Sequence, residues 1–152
     1  MKLTISAVLV ALVAVSSAAA LAQSAKPTGK TLLEIVAKLE QDGYDPITDV
    51  SLDRGQWEIE AHKFGTPLEL RVDPASGAIV SEHQDDGDPV PPAGAKKLSE
   101  IVRGVVAAGY TGIEEISFEG RSWEVEAVRN GTRRELRVDP TTGSIVSDRV
   151  DD

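Results

Sequence analysis

Apolar positions along the chain follow two rhythms, and each rhythm occurs twice. Leu32, Ile35, Val36 and Leu39 recur at i, i+3, i+4 and i+7, a spacing that places them on one face of a helix. Thr31 and Glu34 have the spacing of a capping box at its start. Gly43 can adopt the left-handed backbone that ends a helix, with Tyr44 closing back on Leu39. The period then drops to two. Trp57, Ile59 and Ala61 alternate with Glu58, Glu60 and His62, and Leu68, Leu70 and Val72 alternate with Glu69 and Arg71, the pattern of half-buried strands.

The same run returns 66 positions later, Trp57 aligning with Trp123 (123 − 57), and residues 31–86 match 97–152 without a gap. Leu98, Ile101, Val102 and Val105 repeat the helix, and Gly109-Tyr110 repeat its end. Lys97 stands where Thr31 would cap, so the second helix is expected to start less cleanly. Asn130-Gly131 is a two-residue hairpin signal. Counting outward from it pairs Val125 with Leu136 and Trp123 with Val138 on the buried face, and Glu124 with Arg137 on the other. The count around Phe64-Gly65 pairs Ile59 with Leu70, Trp57 with Val72, and Glu58 with Arg71. In "RVDPASG" and "RVDPTTG", Asp73 and Asp139 have the place of turn caps, Pro74 and Pro140 preset the backbone, and Gly77 and Gly143 accept a positive φ. Short strands should follow at Ile79-Val80 and its counterpart.

These elements predict an α+β chain of two tandem units, each one helix packed on a three- to four-stranded antiparallel meander, with first strands over 47–53 and 113–119. The repeats span 31–86 and 97–152, joined by a Pro/Gly linker over 87–96. Each unit would have its own small core. Before them, Lys2, an apolar run over 5–15, and small residues at Ala20 and Ala22 read as a signal peptide over 1–22, cut after Ala22. A periplasmic or secreted location is expected, with no transmembrane segment.

Charge narrows the partners. The sequence carries 25 Asp plus Glu against 16 Lys plus Arg, a formal net charge of −9, which disfavours nucleic acid and anionic membranes. The repeats differ: residues 31–86 hold 4 basic and 13 acidic side chains, residues 97–152 hold 8 and 11. Arg129, Arg133, Arg134 and Arg137 concentrate on one hairpin, a candidate contact for acidic groups in the first unit or on a partner. Gly104, Val106, Ala107 and Ala108 replace Lys38, Glu40, Gln41 and Asp42 on the outer side of the second helix, so Val106 is a candidate partner-binding residue and a homodimer a candidate assembly.

The stretches "LLEIVAKLEQDGY", "WEIEA" and "LELRVDPASGAIVS", and again "LSEIVRGVVAAGY", "WEVEA" and "ELRVDPTTGSIVS", resemble the PepSY domain. The resemblance covers both units. It implies an exported bacterial protein whose partner is a protein, with an inhibitory or regulatory role toward a peptidase, and it carries no catalytic motif to transfer.

Direct signs of chemistry are few. There is no cysteine, the two histidines, His62 and His83, align with Val128 and Arg149, and no phosphate loop, metalloprotease motif or calcium loop occurs. No enzyme activity, cofactor or resident metal is expected. The hairpin registers set Glu60 opposite Glu69 and Glu126 opposite Glu135, like charges that repel mildly across a sheet. With His62 beside the first pair they are weak candidates for a cation site, and a cation sensor or buffer is the alternative to a peptidase regulator.

Overall fold

A computed structural model describes residues 29–151. Its elements run α1 (Leu32–Gln41), β1 (Tyr44–Asp53), β2 (Gln56–Lys63), β3 (Thr66–Val72), β4 (Ile79–Gln84), α2 (Leu98–Ala107), β5 (Thr111–Glu119), β6 (Ser122–Arg129), β7 (Thr132–Val138) and β8 (Ile145–Val150). The leader read over 1–22 lies outside the described residues. The first strands begin earlier than the alternation suggested, at Tyr44 and Thr111.

Local signals act as their chemistry requires. The Glu34 backbone N–H donates to Thr31 Oγ1 at 3.2 Å and the Thr31 N–H donates to Glu34 Oε2 at 2.7 Å, closing the capping box of α1. At α2 only one half is built, the Lys97 N–H donating to Glu100 Oε2 at 3.2 Å, because a lysine side chain has no acceptor. Gly109, at φ +92°, ends α2: its N–H donates to Val106 O and the Tyr110 N–H to Val105 O, a Schellman closure. Asp73 accepts from the Ser76 N–H at 3.0 Å, and Asp139 accepts from the Thr141 and Thr142 N–H groups at 2.9 and 2.7 Å, the turn role expected of them. Both hairpin registers match the sequence count, including Trp57–Val72, Glu58–Arg71, Trp123–Val138 and Glu124–Arg137.

The architecture corrects the sequence reading. Instead of two helix-plus-meander units with separate sheets, the strands form one continuous eight-stranded antiparallel sheet, in the order β4-β3-β2-β1-β5-β6-β7-β8, with only two helices among the described residues, so the fold is mostly β. A single buried cluster runs from Ile35, Val36, Leu39 and Ile59 through Val50 and Ile116 to Val102, Val125 and Leu136. The cause is the free edge each unit would leave on its first strand. An unpaired strand edge exposes a row of N–H and C=O groups, and β1 and β5 satisfy each other's through Asp49–Ser117, Val50–Ile116 and Ser51–Glu115.

Val50 and Ile116 are counterparts in the repeat, 66 positions apart, and they face each other directly. An antiparallel pair of equivalent strands meeting at equivalent residues defines a local two-fold axis, the geometry of an isologous dimer interface written within one chain. α1 and α2 also pack against each other and cover one face of the sheet; among the described residues no helix lies on the other, here called the bare face.

Candidate functional site

Three surfaces carry the unusual side chains. The first is the bare face near the axis. Segment 87–96 begins on it as a strap and ends on the helix-covered face, beside Leu98 and Trp123: the Asp85 N–H donates to Pro67 O, and Gly87, at φ +86°, rests against the Pro67 ring and His62, where an added Cβ would stand 3.0 Å from Pro67 Cβ. Asp88 then meets Glu60, while Asp88 and Pro89 with Asp49, Ser117, Phe118 and Glu119 enclose a cleft of about 250 Å³. Glu60 is pushed up to about 8, first by a hydrogen bond shared with Asp88, then by burial and by the charges of Asp88, Asp49 and Asp85. Asp49 is pushed up to about 7, first by burial, then by the charges of Glu115, Asp88, Glu58 and Glu119. Both carboxyls therefore hold protons well above the usual carboxylate range.

The like-charged pairs read from the sequence are present, Glu60 opposite Glu69 and Glu126 opposite Glu135. The repeats treat them differently. Arg133 reaches Glu126 at 3.4 Å and Arg149 pairs with Glu135, whereas the counterparts of those arginines are Pro67 and His83. In the first repeat Arg71 lies 3.9 Å from Glu69, and Glu60 is left to Asp88. His62 stands beside Pro67 in the ladder, its Nδ1 buried and, among the described residues, without a partner. Among the described residues no group of three or more His, Asp or Glu side chains is arranged to hold a metal ion.

The second surface is the basic hairpin of β6 and β7. Arg133 bonds Glu114 at 2.9 Å and Asp151 at 3.3 Å, Arg134 bonds Asp148 at 2.6 Å, and Arg137 bonds Glu124 at 2.6 Å. Arg129 lies over the Tyr110 ring at 5.0 Å and donates to its hydroxyl at 3.1 Å. All of these partners belong to the second repeat. The repeats meet elsewhere, through β1 and β5, through Lys97 and Asp45 at 3.0 Å, and through Glu40 and Ser99.

The third surface is an apolar groove of about 320 Å³ beside the helices, lined by Leu32, Leu33, Trp57, Val102, Val106 and Ile113. Val106 is 49 % exposed on its rim, so the first repeat does not cover the outer side of α2. The sequence marked Val106 as a misplaced apolar residue, but the groove needs the helix packing to become visible. The Asp49–Glu60–Asp88 group gave no local signal, because Asp88 reaches the sheet only through the path of the strap.

Comparison with known proteins gives a family. The model described as "Peptidase propeptide and YPEB domain" matches twice, over residues 6–83 and 85–149. Its first match starts within the stretch read as a signal peptide. Among curated proteins none matches the sequence. Similar solved structures include a provisionally assigned lipoprotein of Clostridium difficile 630, with 8 % identity and a TM-score of 0.45 over 78 % of this chain and 90 % of that one. Another is a DUF2874 family protein of Bacteroides uniformis, with 17 % identity and a TM-score of 0.29 over 78 % and 86 %. The two matched stretches cover nearly all of both repeats, and the chain belongs to the PepSY family, with two copies of the domain in tandem.

Proposed function

We propose that the protein is a non-catalytic, exported binding module that regulates a peptidase by protein–protein contact, receiving an extended strand of its partner along a free edge of the sheet. The observation that carries this reading is the state of the two edges. Among the described residues β4 and β8 pair on one side only, and both leave valines in solvent, Val80 at 57 % exposure and Val146 at 64 %. A half-paired strand offers main-chain donors and acceptors to an incoming segment, and alternate side chains select among such segments. The family's description as a peptidase propeptide supports a peptidase as the partner. The leader-like start supports export, which N-terminal sequencing of the exported protein tests by finding Gln23 first. No helix among the described residues is long and apolar enough to cross a membrane.

The decisive experiment titrates residues 23–152 against purified exported metallo- and serine peptidases. Saturable inhibition of at least one, weakened tenfold or more by Val80→Glu or Val146→Glu, is the expected result. Inhibition of none, or inhibition indifferent to both substitutions, overturns the reading.

A further inference from the structure

The two-fold axis gives the apolar groove a mate, and the mate is walled by the chain itself. Moving by 66 positions takes Leu32, Trp57 and Ile113 of the groove to Leu98, Trp123 and Ile47, which line a second space under the other helix. There Pro91, Pro92 and Ala95 of the strap form one wall beside Trp123, and Trp123 is 1 % exposed. The residue before the cap is held in the same way in both repeats: the Lys96 N–H donates to Pro140 O at 2.8 Å and the Lys30 N–H to Pro74 O at 3.1 Å. The mouths differ. The Lys97–Asp45 ion pair spans the mate, whereas Thr31 and Thr111 stand at the groove.

The sequence of that wall is not repeated. The counterparts of Pro89, Val90, Pro91 and Pro92 are Gln23, Ser24, Ala25 and Lys26, polar or small where the strap is apolar and stiff. Meanwhile the groove has gained apolar surface, since Val106 replaces the Glu40 of the other side and Leu33 replaces Ser99. We infer that the groove between Leu33, Trp57 and Val106 is a docking site for an extended, proline-bearing, uncharged segment of a protein partner, seated as Pro91–Pro92 is seated beside Trp123. Prolines fit such a site because their backbone is already extended and loses little freedom on binding, and the groove offers them Leu33, Val106 and the 7 % of Trp57 that is left exposed. The site is separate from the sheet edges and does not depend on them.

The test uses the strap's own sequence in trans. A synthetic peptide Pro-Val-Pro-Pro-Ala-Gly-Ala, residues 89–95 with both ends blocked, is added to nitrogen-15-labelled residues 23–152, and the two indole N–H signals, one from each of the 2 tryptophans, are followed by NMR. The Trp57 signal should move saturably while the Trp123 signal stays fixed. Replacing the three prolines by serine, or introducing Val106→Lys, should weaken binding at least tenfold, with the unchanged Trp123 signal reporting that the variant is folded; Leu33→Gln serves if Val106→Lys is not. No shift at millimolar peptide overturns the proposal. So does movement of Trp123, which would mean that the peptide merely displaces the strap. A Trp57 signal that shifts with protein concentration alone, or on deletion of residues 23–28, assigns the groove to a second copy or to the chain's own start and equally overturns it.

Discussion

The Glu40 carboxylate accepts the backbone N–H of Ser99 at 3.0 Å and its hydroxyl at 2.6 Å. Ser99 is the second residue of α2, so a side chain from the first repeat supplies the cap that Lys97 cannot give. It also sets a negative charge at a helix start, where the backbone dipole favours one. Glu40→Ala should lower stability by about 1–2 kcal/mol, the range of a lost cap bonded through a charged group. Lys97→Thr in that background should restore part of the loss by rebuilding the local cap, as read from urea midpoints.

The bare face predicts stability that falls with rising pH. Asp49, at about 7, and Glu60, at about 8, are both held above their unfolded values. A raised carboxyl stabilises fully below its unfolded pKa, near 4, and loses that contribution as pH rises through the folded value. Asp73 and Asp139 are held below the usual range by their turn hydrogen bonds, so their contribution disappears as pH falls below about 4. Stability should therefore be greatest near pH 5 and decline toward pH 8. Asp49→Asn should flatten the decline, with a gain of about 1–2 kcal/mol at pH 8 after discounting for partial exposure. A flat profile between pH 5 and 8 would contradict the burial of this group.

Gly87 lets the strap lie on the sheet. Its φ of +86° disfavours any side chain, and a methyl group there would press on the Pro67 ring. In Gly87→Ala the strap should lift, and Asp49 and Glu60 should titrate closer to ordinary carboxylates, visible in carbon-13 pH titrations of the two side chains.

One core should mean one transition. Ile116 is fully buried at the axis, and Ile116→Ala should cost about 3 kcal/mol, within the range for a buried isoleucine truncation. Because its neighbours belong to both repeats, the signals of Trp57 and Trp123 should still disappear together in denaturant. Two separated transitions would restore the picture of independent units.

Much of each repeat was legible because its determinants are close in sequence. Asn130-Gly131 dictates which residues face each other on β6 and β7, Asp139 and Gly143 dictate the turn to β8, and the spacing of Leu32, Ile35, Val36 and Leu39 dictates the buried side of α1. The pairing of β1 with β5 has no such determinant. No turn joins the two strands, and Val50 and Ile116 look the same whether each faces its own core or a shared one. The Glu40–Ser99 bond was hidden for the same reason, although Lys97 announced that a cap was missing. The strap read as a spacer, because proline and glycine content reports stiffness and not the surface on which a segment rests.

Two identical subunits meeting at Val50 and Ile116 would present one sequence on both sides of their axis, and any change would appear twice. Fusion removes that obligation. One side could become a lock, with a carboxylate fastening the opposite helix, while the other discarded its polar groups and stayed receptive. The asymmetry between Glu40 and Val106 is thus a freedom that belongs to the joined chain, and an association of separate halves could not have acquired it.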